Sequence, residues 1–441
     1  MRIAMISEHA SPLAQPGGVD CGGQNVYVAQ VGRCLAQAGH QVDVFTRRDA
    51  PAQRPVVDLR PGLRVLHVDA GPASFVAKER LLEHMPQFAR QAERAVAASR
   101  RYDVIHANFF MSGWVGMRLQ RRFGLPLVTT FHALGRVRRL HQGGSDVFPE
   151  DRLAIEDRLV QRSDAVIAEC PQDKKDLVEL YRASPGQIHS VPCGVDTERF
   201  RPLGKGASRA ALGLPNDAFI VLQLGRLVAR KGIDNVIRAV ARLDAALRPR
   251  LYVVGGSGPC PDEQRDPEIA RLRGVAAECG AGDRVHFVGA RGGDDLARWY
   301  SAADVFVTTP WYEPFGITPL EAMACATPVV GSRVGGIQHS VVDGRTGYLV
   351  PPKDDAALAE RLDLLARRPL HARTLGAAGL KRVRANFTWE QVASELLEVF
   401  RWVRLARRRP ADAQPRLGTL PSLHLVPGAA FERVHALGSS T

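Results

Sequence analysis

Short runs that are apolar at nearly every position recur along the first half of the chain. They fall at Arg2–Ser7, His40–Thr46, Leu63–Ala70, Tyr102–Ala107, Leu125–His132, Ala165–Ala168 and Ile188–Pro192. Runs of this kind lack polar alternation, so they read as strands covered on both faces, as in a parallel sheet. Helical periodicity fills the intervals. Val28, Val31 and Leu35 share one face of a helix that Gly39 closes, and Glu150–Val160 forms a charged amphipathic helix. The series then starts again at Phe219–Leu227, Arg250–Gly255, Val285–Gly289, Ala303–Pro310 and Pro328–Ser332, with a last short strand within Val341–Pro352. Two such series predict an α/β protein with two doubly wound parallel sheets. An amphipathic helix follows at 386–403, and from 404 to 441 periodicity fades into an Arg-, Pro- and Gly-rich tail that reads as disordered.

With 441 residues and 45% hydrophobic content, the chain can bury two or three cores. No apolar run approaches the roughly 20 residues that cross a bilayer. The opening MRIAMISEHASPLAQ lacks the apolar core of a signal peptide, which points to the cytoplasm. Seven cysteines without CxxC or Cys/His spacing argue against a zinc site, and Cys170, Cys193 and Cys325 read as small inert residues. The net charge of +13 suits phosphorylated substrates, anionic lipid or nucleic acid, without choosing among them.

Candidate chemistry lies where strands end. After the Ala303–Pro310 strand comes WYEPFGITPLE, Trp311–Glu321. Thr318 is placed to cap the next helix, with Pro319 at its first position and Glu321 three residues after the cap. Amides at Phe315, Gly316 and Ile317 would face a polar ligand there. Gly22-Gly23 enters the first helix, where open α/β sheets place phosphates. Asn108 and His132 close two strands on the same side, and Arg226 and Lys231 sit in the loop after the Phe219–Leu227 strand.

The stretch from Glu313 to Glu321, continuing to Val330, resembles the paired-glutamate motif of glycosyltransferase family 4, and the likeness runs from about Met1 to about Phe400. Gly22-Gly23-Gln24-Asn25-Val26-Tyr27 resembles that family's GGxxxY stretch. With Asp20 it is closest to the sucrose-phosphate synthase branch, as is HALGR from His132. Cys193–Phe200 resembles the NGVDxxxF linker, with Cys for Asn. The resemblance implies the GT-B fold: an acceptor-side Rossmann-like domain at 1–197, a nucleotide-sugar domain at 198–385, and the 386–403 helix crossing back to the first domain. It implies a retaining transferase that moves a hexose, glucose first, from a nucleoside diphosphate, uracil first, to a hydroxyl acceptor.

Roles carried over from the family fall on matching positions. Arg226 and Lys231 neutralise the diphosphate, while Gly22 and Gly23 approach it. Glu313 holds sugar hydroxyls and Glu321 the ribose, with the Phe315, Gly316 and Ile317 amides assisting. Ala290 and Arg291 lie in the base-binding loop. His132 contacts the sugar near the reacting carbon and is not a conventional general base. On the acceptor side stand Lys78, Asn108 and Arg152. The inositol-phosphate-glycosylating branch has Tyr where Phe109 falls and Thr where Ala133 falls, so two hydroxyls that hold an acceptor phosphate are missing here. No DxD occurs, so no cofactor or metal is expected to be essential. The expected partners are a nucleotide sugar and a hydroxyl acceptor such as a sugar phosphate, and not nucleic acid. A lipid-linked or envelope glycan is the competing acceptor, and peripheral contact with an anionic membrane face is a further use of the basic surface. A binding protein that works through the basic tail is the competing class; truncation at about Arg404 would abolish its activity and spare an enzyme's.

Overall fold

The computed structural model describes residues 1–14, 22–293 and 295–407. The part of the glycine-rich loop at 15–21, with Asp20 and Cys21, and the tail from 408 lie outside the described residues.

The first lobe is an eight-stranded sheet. Its strands are β1 (Arg2–Ile6), β2 (Gln41–Arg47), β3 (Val56–Arg60), β4 (Leu63–Val68), β5 (Val104–Asn108), β6 (Leu127–Thr130), β7 (Ala165–Ala168) and β8 (Ile188–Ser190). They lie in the order β3-β4-β2-β1-β5-β6-β7-β8. All pairs are parallel except β3 with β4. The edge strand β3 has no counterpart in the apolar runs read from the sequence: Val56-Val57-Asp58-Leu59-Arg60 is short, interrupted by charge and largely exposed, so it carries no buried-strand pattern. The second lobe has β9 (Phe219–Leu224), β10 (Pro249–Val254), β11 (Val285–Gly289), β12 (Val305–Thr308), β13 (Val329–Ser332) and β14 (Gly347–Val350), all parallel, in the order β11-β10-β9-β12-β13-β14.

Each sheet reverses its winding once, between β1 and β5 in the first lobe and between β9 and β12 in the second. At such a reversal neighbouring connections run to opposite faces and leave a crevice at the carboxyl ends of the strands. Gly225-Arg226 follows β9 and Trp311–Glu313 follows β12, so the donor loops open at the second reversal. Asn108 ends β5 at the first.

The last helix, Trp389–Ala406, belongs to the first lobe by burial. Trp389 packs edge-on against Tyr27 at 5.8 Å, and Phe400 lies 5.4 Å from His106. Thr388 starts it with a reciprocal cap: Gln391 N–H donates to Thr388 Oγ1 at 3.3 Å, and Thr388 N–H donates to Gln391 Oε1 at 3.0 Å. The chain crosses between lobes in two places that touch, where Val195 N–H donates to Phe387 O at 2.8 Å. Gly194 has no room for a side chain, since a Cβ would meet the Trp389 ring at 2.9 Å. Among the described residues no helix is long and apolar enough to cross a membrane.

Candidate active site

The loop after β12 is held by backbone packing from below. A Cβ on Gly335 would lie 1.7 Å from Glu313 O, and one on Gly336 would lie 2.4 Å from Phe315 Cα. Gly336 N–H donates to Pro314 O at 3.1 Å. This support moves the helix start. The helix runs Ile317–Ala324, its N-cap is Gly316 at φ 89°, and no side chain caps it. The Thr318–Glu321 capping box therefore does not form: Thr318 is already inside the first turn. Glu321 turns inward instead, and Tyr300 OH donates to its Oε2 at 2.7 Å. Burial pushes this carboxyl above its ordinary range, against the Tyr300 hydrogen bond and the charge of Arg199. Its other oxygen takes no hydrogen bond among the described residues, nor do the N–H groups of Phe315, Gly316 and Ile317 donate one.

Lys231 is delivered by a short turn, Ala229–Lys231, that ends in Gly232 at φ 64°. Only glycine fits there, since a Cβ would fall 2.1 Å from Thr309 O. The Lys231 ammonium pairs directly with Glu313, and Arg230 lies 3.7 Å from the same oxygen. Burial pushes the Glu313 carboxyl up, but Lys231, Arg230 and Arg226 together hold it below its ordinary value. The Lys231 ammonium is lowered by burial and by the neighbouring arginines, against the pull of Glu313. Among the described residues, Lys231, Arg230 and Arg226 thus gather around Glu313 in a nearly buried site. Such a cluster of cations suits a diphosphate. Arg230 had no assigned role in the sequence reading, because nothing distinguished it from Lys231's other neighbours.

The first lobe closes over this cluster. A Cβ on Gly22 would stand 4.0 Å from Arg226 Nε, and one on Gly23 would stand 3.5 Å from Ile317 Cδ1. The N-terminus of helix Gly23–Gln37 therefore lies against Arg226 and Ile317. The Ala290 N–H donates to Gly258 O at 2.7 Å, and the Arg291 guanidinium ties down Pro259 O and Ala290 O at 2.7 and 2.9 Å. Both residues fasten the 258–260 loop, which takes up the Ala290 amide.

His132 follows β6 with a left-handed backbone, φ 58°. Its Nδ1 lies 3.0 Å from Glu169 Oε1 and its Nε2 lies 3.0 Å from Asn108 Oδ1. Glu169 and Asn108 thus grip the ring from β7 and β5. Cys193 is not an inert filler: its thiol donates to Glu169 Oε1 at 3.1 Å. A cavity of about 250 Å³ adjoins Glu313, walled by Ala133, Leu134, Val137, His141, Asp173 and Tyr312.

Arg152 sits beneath this wall and is 2% exposed. Its Nε donates to Glu156 at 2.8 Å and one terminal nitrogen donates to Ala133 O at 2.6 Å. The guanidinium is stacked among Phe109, Phe110 and Phe148, 4.5–5.1 Å from each ring centre. Glu156 also receives Gly135 N–H and Tyr181 OH. Arg152 is thus a buried structural ion pair rather than the open cation expected at an acceptor. Its Nη1 alone has no partner. Lys78 pairs with Glu79 at 2.9 Å.

Comparison with known proteins agrees with this geometry. The sequence model described as Glycosyltransferase Family 4 matches residues 21–199, and that of the glycosyl transferases group 1 matches residues 205–382. The D-inositol 3-phosphate glycosyltransferase 1 of Catenulispora acidiphila is 41% identical over 404 residues, 91% of this chain and 95% of that protein. Its counterpart in Streptosporangium roseum is 39% identical, over 90% of this chain and 92% of that one. Sucrose-phosphate synthase from Thermosynechococcus elongatus superimposes with a TM-score of 0.84 at 39% identity, over 92% of this chain and 99% of that one. Anabaena HepE in complex with UDP-glucose shares the fold, with a TM-score of 0.72 at 19% identity over 91% and 100% of the two chains. In its strand order, its two matched halves and the loops where its cations and carboxylates meet, the chain belongs to glycosyltransferase family 4, the nucleotide-sugar hexosyltransferases of GT-B fold.

Proposed function

We propose that the protein transfers a hexose, glucose first, from UDP to a hydroxyl of a small phosphorylated acceptor, with retention of configuration. The observation that carries the acceptor class is the likeness to relatives at 39–41% identity that are named for inositol 3-phosphate and for sucrose phosphate. Phe109 and Ala133 stand at the two places where the family's inositol-phosphate branch carries phosphate-holding hydroxyls. The missing hydroxyls favour an acceptor other than inositol phosphate. A UDP-glucose complex of a neighbour with the same fold makes that donor the first to try.

In this reading Arg226, Arg230 and Lys231 take up the charge that builds on the departing diphosphate. Donor binding must separate Lys231 from Glu313, which frees the ammonium for phosphate and the carboxylate for sugar hydroxyls. The bond from the sugar's anomeric carbon to the diphosphate oxygen breaks, and the acceptor oxygen bonds to that carbon on the same face. The acceptor proton passes to the leaving phosphate. With three cations at the diphosphate and no DxD, turnover should survive EDTA. The enzyme would work in the cytoplasm. Peripheral membrane contact has less support, because Arg136, Arg138 and Arg139 on the most basic helix are each paired with a carboxylate at 2.6–2.9 Å.

The deciding experiment is calorimetry over a panel of nucleotide sugars, then an acceptor screen with the tightest donor. Sugar phosphates should be glycosylated, and their dephosphorylated counterparts should not. Equal rates with and without the phosphate would overturn the acceptor class.

A further inference from the structure

Glu169 ends the strand β7 run and lies outside every motif of the family resemblance, yet it is 3% exposed and touches the site's histidine. Its Oε1 receives His132 Nδ1 at 3.0 Å and the Cys193 thiol at 3.1 Å. On the far side of the ring, His132 Nε2 faces Asn108 Oδ1 at 3.0 Å. The Asn108 amide nitrogen faces the carbonyl oxygens of Ile6 and His106, each at 3.4 Å. Carbonyls only accept, so the amide must keep its nitrogen toward them and its oxygen toward the histidine. Nε2 then has to donate. Nδ1 faces a carboxylate and has to donate as well. A ring that donates from both nitrogens is an imidazolium.

The surroundings agree. Tyr27 meets the ring edge-on at 4.7 Å and His106 lies behind it. Burial and the charge of His132 push His106 down to about 3, which keeps it neutral. Burial and Glu169 hold the Cys193 thiol protonated, as a donor. Burial and Glu169 likewise raise the Asp173 carboxyl, which accepts the Glu169 N–H at 3.1 Å. Burial pushes Glu169 itself up, but its contacts with His132 and Cys193 outweigh this and the weaker repulsion from Glu313.

We infer that Glu169 is a positioning residue for sugar transfer, which clamps His132 against Asn108 with a proton on both ring nitrogens. A histidine held this way cannot take the acceptor's proton, which agrees with that proton leaving on the diphosphate. The inference rests on the proposed sugar transfer and on the place at the donor sugar that the family resemblance implies for His132, but its first test does not need turnover. In the full-length protein with nitrogen-15 in the histidine rings, the His132 signals are assigned by their loss in His132→Asn. Both nitrogens should carry protons in the parent, and one should lose its proton in Glu169→Gln. Glu169→Gln should lower kcat by about 100-fold while the dissociation constant for UDP moves by less than about twofold, since misplacing a group at the reacting centre costs rate before affinity. Glu169→Asp should recover part of the loss. A single protonated nitrogen in parent His132, or parental kcat in Glu169→Gln, would overturn the assignment. If Glu169→Gln does not fold, the parent spectrum decides alone. If the parent turns over no UDP-hexose, the fault lies with the proposed function, and the spectrum still decides the role of Glu169.

Discussion

The charged groups of the second lobe's site come from two adjoining loops, after β9 and after β12, and its central pair, Lys231 and Glu313, lies nearly buried where the two lobes meet, with Glu313 on the wall of a cavity. On the first lobe the corresponding groups come from scattered segments around Gly22, Lys78, Asn108, His132, Arg152 and Glu169, and its strongest pair, Arg152 with Glu156, is walled in by three phenylalanines. One ion pair can part to admit a ligand; the other is part of the core. The difference separates charge kept for a substrate from charge kept for the fold. Sequence alone does not show it, since each pair is simply a cation and a glutamate.

The comparison can be broken most sharply at Arg152. Arg152→Met leaves Glu156 buried without its cation, and such breaks cost about 3–5 kcal/mol. The thermal midpoint should fall well below the parent's, and Arg152→Met with Glu156→Leu should recover much of it. A stable, inactive single variant would instead make Arg152 a ligand-side residue like Lys231.

Lys231→Ala tests the opposite lobe. Its folding should be close to the parent's, because Arg230 remains beside Glu313. Its kcat at saturating substrates should fall by on the order of 100-fold, with a much smaller change in UDP affinity, because the charge it meets builds in the transition state. Lys231→Arg should not restore the rate, since a planar fork replaces a compact charge. Unchanged kcat in Lys231→Ala would remove it from the diphosphate.

Glu321 lies between these extremes, buried like Arg152 but without a cation in contact. A carboxyl raised in the folded state loses stability as pH climbs from its unfolded value through its folded one, so at neutral pH the ionised group weighs against folding. Glu321→Gln should raise the melting temperature, with a gap from the parent that widens from acid to neutral pH. It should also weaken UDP by about 1.5–3 kcal/mol, the value of a hydrogen bond to a charged group. A lower melting temperature at every pH would mean that Glu321 serves the fold alone.

Much of the second lobe could be read from the residues because its parts are contiguous. Apolar strand runs mark the sheet, and Glu313–Glu321 and Arg226–Lys231 are single stretches that land at the winding reversal. What misled was local. Thr318-Pro-Leu-Glu321 satisfies every rule for a helix start, yet the backbone of Gly335 and Gly336, far along the chain, fixes the turn two residues earlier. In the first lobe the roles of Glu169 and Cys193 could not be seen, since a lone Glu after a strand and a Cys in a linker have no spacing that announces a shared partner. Arg152 was visible as a residue but not as a buried one, because its burial depends on Phe109, Phe110 and Phe148 arriving from two other segments.

The helix Trp389–Ala406 has a consequence for the birth of the molecule. Its indole and phenyl groups fill space around Tyr27 and His106, in the lobe that leaves the ribosome first. That lobe waits, lacking a wall of its own core, while the whole second lobe is made. The second lobe has all its strands before the helix appears and can fold as each is added. Synthesis and completion therefore run in opposite orders: the first domain translated is the last one finished.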